Sequence, residues 1–169
     1  MTDRVEYIRE SRAKYNAYDD EWEKAYFDEF SGGYVVYHKE HQFDPTIGKF
    51  GIPRGDYEKI ASGVLVKYGM SVELFSEAPE YGIKIPDGLL NGKLFDIKGI
   101  EGTGKENILK DLKSANKKKA EVVVFYYHDK RLFSENQIRD NYHSYLRNSK
   151  SKRIQHVYYI VDRKLYTLK

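Results

Sequence analysis

The sequence predicts a mixed α/β (α+β) fold in which a helix, three strands, a second helix and a fourth strand follow one another between residues 56 and 127. Three observations predict it. Tyr57, Ile60, Ala61, Val64, Leu65 and Tyr68 recur at the spacing of one helix face. Asn91-Gly92 stands between two apolar segments, the strongest short signal for a tight hairpin. Val122-Val123-Val124-Phe125-Tyr126-Tyr127 is a β-rich run of the length and character of a buried strand.

Taken in order, residues 3 to 30 are rich in Glu, Lys, Arg, Tyr and Ala, contain no Pro or Gly, and stop at Ser31-Gly32-Gly33. They read as one or two helices ended by a glycine break, and their irregular apolar spacing suggests an arm or a partner-docking helix. Residues 1–33 are therefore expected to be an N-terminal helical arm on a domain of residues 34–169. Tyr34 to His38 has the aromatic and β-branched content of a strand, and His41 to Arg54, with two prolines and two glycines, reads as a loop. The amphipathic helix then starts with Asp56 as N-cap and ends before Gly69. Ser71 to Phe75 alternates as a strand does, and a loop follows through Glu77-Ala78-Pro79.

Ile83 to Leu90 and Lys93 to Gly99 form the hairpin around Asn91-Gly92. Ile108, Leu109, Leu112 and Ala115 mark the next amphipathic helix, ahead of the buried strand. Ser134, three residues before Gln137, opens a third helix to Leu146 with a capping-box pattern. Ile154 to Val161 and Lys164 to Leu168 close the chain as a hairpin around Asp162-Arg163, so that a C-terminal helix and a β-hairpin extend the core.

Composition limits the chemistry. A chain of 169 residues suits one domain, and 16 Tyr with 8 Phe supply ample core material. The absence of cysteine excludes disulfides, thiolate metal sites and a cysteine nucleophile. No leader-like segment or membrane-length apolar run is present, so the expectation is a soluble chain, cytoplasmic by default, whether whole or the end of a longer polypeptide. Net charge is only +3, but Lys and Arg bunch at 105–119 and 147–153, and local bunching attracts phosphate.

The hairpin register carries the candidate site. If Asn91 and Gly92 are the loop residues, Leu90 faces Lys93 and Asp87 faces Asp96. Opposed residues of an antiparallel pair point to one face, so two carboxylates meet, a repulsive arrangement that a divalent cation neutralises. Lys98, two residues beyond Asp96, joins them on that face while Phe95 and Ile97 turn to the core. Two carboxylates and an ammonium are the parts that phosphodiester hydrolysis needs, with Mg²⁺ or Mn²⁺ as cofactor to polarise the phosphate and acidify a bound water. Glu58, in the first turn of the preceding helix, is a candidate third carboxylate, or else only an acid that favours the helix dipole. Glu73 is its substitute.

Pro86-Asp87 followed by Asp96-Ile97-Lys98 resembles the motif of the PD-(D/E)xK nuclease superfamily, and Glu58 falls where many members carry a helix acid. The likeness covers about residues 56 to 127 and extends to the order of elements. It implies a restriction-endonuclease-like αβββαβ core, metal-dependent endonuclease activity, Asp87, Asp96, Lys98 and Glu58 as catalytic residues, and Asp87, Asp96 and Glu58 as metal ligands. Glu58 through Lys98 looks most like the C-terminal nuclease domains of contact-dependent growth inhibition toxins and of some phage head-morphogenesis proteins. That likeness implies a tRNA or DNA target and an immunity or phage structural protein as partner. Many members also carry Gln or Lys on the second core helix, where Asn116, Lys117 and Lys118 are the candidates here.

Lys105, Lys110, Lys113, Lys117, Lys118, Arg147 and Lys150 are the expected nucleic-acid contacts. Tyr126, Tyr127, Tyr142 and Tyr145 lie between the two basic clusters in sequence and are expected to stack on unpaired bases, which favours RNA over DNA. The alternative function is a non-catalytic nucleic-acid-binding or phage structural module on the same scaffold. His38 and His41 fit no zinc pattern, and Gly102-Thr103-Gly104-Lys105 lacks the earlier Gly and the later Ser or Thr of a phosphate-binding loop.

Overall fold

The computed structural model describes residues 2–76 and 84–168. Asn91 and Gly92 take φ of 49° and 81°, the left-handed pair that a two-residue hairpin turn requires. They join β4 (Gly88–Leu90) to β5 (Lys93–Ile100). Leu90 pairs with Lys93, Leu89 with Leu94 and Gly88 with Phe95, the expected register. β4 is shorter than expected. Lys84, Ile85 and Pro86 stay outside the ladder, because Pro86 has no N–H to contribute and the N–H of Ile97 goes to the side chain of Asp87. Ile83 and the expected loop at Glu77-Ala78-Pro79 lie outside the described residues.

Among the described residues eight strands form one sheet, and their spatial order is their order along the chain. β3 (Ser71–Leu74) runs antiparallel to β4. A Cβ on Gly88 would collide with the carbonyl of Glu73 on β3, so only glycine lets these strands close up. β6 (Val122–Tyr127) lies parallel to β5 and β7 (His156–Val161) parallel to β6, while β8 (Lys164–Thr167) closes the far edge antiparallel. On the other side β2 (Tyr34–His38) is parallel to β3, and β1 (Trp22–Phe27) is antiparallel to β2.

Helices cross between the parallel neighbours. α2 (Gly55–Lys67) links β2 to β3, α3 (Asn107–Lys117) links β5 to β6, and α4 (Glu135–Asn148) links β6 to β7. Two cores follow from strand alternation. Ala61 and Leu65 of α2 pack with Val72, Leu74, Phe95 and Val124 on one face. Ile108, Leu112, Ile138 and Tyr145 of α3 and α4 pack with Val123 and Phe125 on the other. All six residues of β6 are buried, as its unbroken apolar run predicted. Each such aliphatic side chain contributes about 1.5–3 kcal/mol.

Ser134 caps α4 as expected, accepting the N–H of Gln137 at 3.2 Å. Asp56 is not the N-cap of α2. Arg54 is already helical at φ −62° and ψ −29°, and Pro53 and Arg54 carbonyls accept the N–H groups of Asp56 and Tyr57, so Asp56 sits inside the first turn. The helical reading of residues 3 to 30 holds for α1 (Thr2–Ala17) and is corrected at β1. Trp22-Glu23-Lys24-Ala25-Tyr26-Phe27 has helix-like charge content because it is an edge strand with an exposed middle, and edges carry charge that blocks further pairing. α1 has no apolar stripe. It docks through Tyr15, whose ring lies 5.5 Å from that of Phe27 and 5.6 Å from that of Tyr34, and through the Tyr7 hydroxyl, which donates to the Gly69 carbonyl.

Candidate active site

Where β4 parts from β5, the two aspartates hold each other's strand. The N–H of Asp87 donates to Oδ1 of Asp96 at 2.9 Å, and the N–H of Ile97 donates to Oδ2 of Asp87 at 2.7 Å. The ladder pairing expected between Asp87 and Asp96 is thus replaced by side chain to backbone bonds, since the ladder ends at Gly88 and Phe95. Asp96 and Lys98 share the face covered by α3, as alternation predicted. Asp87, expected on that face with them, instead lines a cavity on the α2 side, because its strand has left the ladder and its carboxylate takes the Ile97 N–H. Asp96 is fully buried, and its Oδ2 has Lys98 Nζ at 3.4 Å and Lys118 Nζ at 3.6 Å. Burial first, then the charges of Asp96 and Glu58, push Asp87 up to about 7, against the opposing pull of the Ile97 N–H and Lys118.

On the α2 side Asp87 lines a cavity of about 200 Å³ with Glu58, Arg54, Tyr57, Ile97 and Glu101. Glu58 is held from behind: Nδ1 of His41 donates to the Phe75 carbonyl at 2.6 Å, and Nε2 stands 2.8 Å from Glu58 Oε1. Glu101 closes the opposite wall. It accepts from the Tyr57 hydroxyl at 2.8 Å, Arg54 Nε at 3.0 Å and the Lys49 N–H at 3.1 Å. Burial works against these donors, but together they hold its carboxyl below the usual range. Gly99 makes room for this wall, since a Cβ there would stand 2.5 Å from the Tyr57 ring.

The α3 side contains groups that the sequence reading missed. Ser114 accepts from Lys98 Nζ at 3.5 Å. Burial pushes Asp111 up to about 6, with Lys98 drawing it down, Asp96 raising it and Lys118 drawing it down. Asp111, Ser114 and Lys118 recur at i, i+3 and i+7, a polar stripe beside the apolar stripe of Ile108, Leu112 and Ala115. That spacing was the available signal. It places Lys118, among the three open candidates on the second core helix, against Asp96. Asn116 instead accepts from the Tyr145 hydroxyl at 2.6 Å and the Arg153 N–H at 2.9 Å.

The remaining expected residues scatter. Lys105, Lys110, Lys113, Lys117, Arg147 and Lys150 are exposed. Tyr126, Tyr127 and Tyr145 are buried, at 4%, 2% and 0% exposure, which overturns their assignment as stacking platforms; Val122 to Tyr127 is a central strand, and Tyr145 bonds inside the α3–α4 contact. Tyr142 is half-buried and stacks on Tyr145. Glu73 projects to the face opposite α2, where it accepts from the Tyr18 hydroxyl at 2.7 Å, and so does not substitute for Glu58. His38 accepts from the Glu40 N–H at 3.1 Å.

The carboxylate oxygens at this junction are the hard donors that Mg²⁺ and Mn²⁺ take, and Asp96 Oδ2 is buried without a hydrogen bond. Among the described residues no three Asp, Glu or His side chains converge on a common metal position. Asp87 and Asp96 are the residues that could hold such a cation, with waters completing its shell, and Glu58 forms the wall beside Asp87.

Residues 84–165 match the family model of the contact-dependent growth inhibition CdiA C-terminal domain. The matched stretch includes Asp87, Asp96, Lys98, Asp111, Ser114 and Lys118, and it leaves out Glu58 and His41. No curated protein and no solved structure matches the chain.

Proposed function

We propose that the chain is a metal-dependent nuclease that acts as the toxin domain of a larger delivered protein, with Asp87, Asp96 and Lys98 at its centre. The observation that carries this reading is the junction of Asp87 with Asp96, pushed together at the point where β4 and β5 separate and faced by two ammonium groups. The similarity of residues 84–165 to the CdiA C-terminal domain supports the toxin part and an immunity protein as partner.

In this reading Asp87 and Asp96 would hold Mg²⁺ or Mn²⁺, whose charge would offset the burial and the repulsion by Asp96 and Glu58 that raise Asp87. When bound, it supplies Lewis-acid polarisation of the phosphate and a more acidic water. Lys98, whose amine stands 3.4 Å from Asp96 Oδ2, would stabilise the charge that builds on the phosphate oxygens as water adds and the leaving oxygen departs. Lys118 shares that field, and Ser114 fixes the Lys98 amine. Lys110, Lys113 and Lys117 on the exposed side of α3, with Lys105, Arg147 and Lys150, supply phosphate contacts whose strength falls with salt. RNA, tRNA first, is the proposed substrate on the likeness to growth inhibition toxins alone, because the tyrosines expected to stack on bases are mostly buried.

One observation favours a second reading, a nucleic-acid-binding module without catalysis: Asp96 Oδ2 is already ion-paired to both lysines. Incubation with tRNA and with supercoiled plasmid under matched Mg²⁺ or Mn²⁺ separates the two. Discrete tRNA fragments, lost with EDTA and with Asp96→Asn, are the expected result; nicked plasmid beside intact tRNA moves the substrate to DNA. Both polymers intact across several divalent metals leaves the binding module.

A further inference from the structure

A second cavity, of about 390 Å³, opens between α1 and the strands β3 and β4. Its volume lies in the range of small-molecule sites. Three phenol rings line it, Tyr7 and Tyr18 from α1 and its exit and Tyr34 from β2, together with Glu73, Asn91 and Lys14. The chemistry is specific. Rings offer faces for a planar heterocycle. Glu73 offers a carboxylate, which only accepts, and Lys14 is an exposed ammonium at the mouth.

Tyr18 fixes the acceptor. Its hydroxyl donates to Glu73 Oε1 at 2.7 Å, and burial and Glu73 hold this phenol well above its usual value, so it stays a donor. Oε1 keeps one lone pair and Oε2 is not engaged by Tyr18, so the carboxylate can still accept two donors from a ligand. Asn91 is held by its oxygen, which accepts from the Ser71 N–H at 2.9 Å, and its amide N–H₂ is left as a donor.

The cavity also lies on the side of the sheet that bears Asp96 and Lys98. Glu73 pairs with Leu89 and Leu89 with Leu94 across the sheet. Leu89 at the cavity edge lies one strand over from Leu94, which precedes Asp96 by two residues. With strands about 4.8 Å apart and a rise of about 3.3 Å per residue, the cavity edge is about 8 Å, and Glu73 about 12 Å, from Asp96 across the sheet.

We propose that this cavity takes an unpaired nucleobase that presents two adjacent N–H donors to Glu73, guanine above the others, from a polynucleotide whose backbone passes Asp96 and Lys98. The inference deepens the nuclease reading and rests on it for the polynucleotide. Guanine offers N1–H and N2–H₂ side by side on its Watson–Crick edge, the edge by which unpaired bases are read. Adenine, uracil and cytosine each offer a single donor group on that edge, beside acceptors that a carboxylate repels, and so cannot place two adjacent N–H donors on Glu73.

Trp22 is the sole tryptophan and its ring lies 5.5 Å from that of Tyr18, so its emission reports on the cavity. The test is titration of the full chain, without divalent metal, with GMP, IMP, AMP, CMP and UMP, followed by Trp22 fluorescence and by calorimetry. The expected result is saturable GMP binding, with IMP, which lacks the N2 amine, weaker by about tenfold or more. Glu73→Gln is expected to weaken GMP by a similar factor, and Tyr18→Phe by less because the ring remains. Absence of GMP binding in both measurements, equal binding of AMP, or unchanged GMP binding in Glu73→Gln at matched folding overturns the proposal. The two readings fail separately: GMP binding without any cleavage of nucleic acid removes the nuclease and keeps the cavity, whereas cleavage without GMP binding removes the cavity alone.

Discussion

The N–H of Asp87 donates to Oδ1 of Asp96 at 2.9 Å, so the more deeply buried acid of the pair also anchors the backbone of the other. Asp96→Asn keeps an oxygen acceptor at this position and removes the charge. The expected outcome is loss of cleavage by about 100-fold or more with the fold intact. Asp96→Ala leaves the Asp87 N–H without that acceptor and is expected to lower stability by about 1–3 kcal/mol in urea unfolding. Full activity of folded Asp96→Asn would refute its catalytic role.

Asp111 titrates at about 6, raised chiefly by burial, whereas an unfolded Asp titrates near about 4. The raised value means that the folded state holds its proton longer. The stability from this group is complete below about pH 4 and is lost as pH rises through about 6. Compared with Asp111→Asn, the wild-type melting temperature is therefore expected to fall between these limits and to run parallel above about pH 7, by about 2–4 °C per kcal/mol lost in a chain of this size. A difference that does not change with pH would show that Asp111 is not the group responsible.

Lys98 and Lys118 approach the same oxygen of Asp96, at 3.4 and 3.6 Å. Removing either leaves the other, so their effects are not independent. A double-mutant cycle with alanine at both positions is expected to give a coupling of about 0.5–3 kcal/mol in stability. In cleavage assays Lys98→Ala is expected to lose more than Lys118→Ala. Additive stabilities would show that the two ammonium groups do not share this carboxylate.

Gly99→Ala places a methyl group 2.5 Å from the Tyr57 ring. The ring has the Glu101 carboxylate as a hydrogen-bond partner and little room to retreat. The expected cost is about 1–3 kcal/mol by thermal or urea unfolding, and a second change, Tyr57→Leu, is expected to recover part of it. An unaltered midpoint for Gly99→Ala would mean that the ring moves freely.

Much of this arrangement was legible before any coordinates. Asn91-Gly92 set the register of β4 and β5, and alternation then placed Asp96 and Lys98 on one face and Phe95 and Ile97 on the other. What the register does not carry is the divergence at Pro86, where a residue without an N–H ends the ladder and sends Asp87 to a different partner. Glu58 and His41 meet across a loop without periodicity, so their contact had no local signal. Asp111 was hidden among Lys110 and Lys113, where an acid reads as part of a solvated face. The tyrosines of β6 were misread because an aromatic ring serves a core as readily as a base-stacking surface, and only position in the sheet decides between them.

The sheet whose strands lie in chain order, β1 to β8, has a kinetic consequence. Each strand finds its partner in the segment just before it, so loop closure stays short and contact order low for a sheet that contains parallel pairs. A chain emerging from its N-terminus can extend the ladder one strand at a time without waiting for a distant segment. Each intermediate, however, presents a growing edge besides that of β1, and until β8 arrives that growing edge also accepts a strand from another molecule. Refolding yield is therefore set by a race between the next segment of the same chain and a neighbour at high concentration.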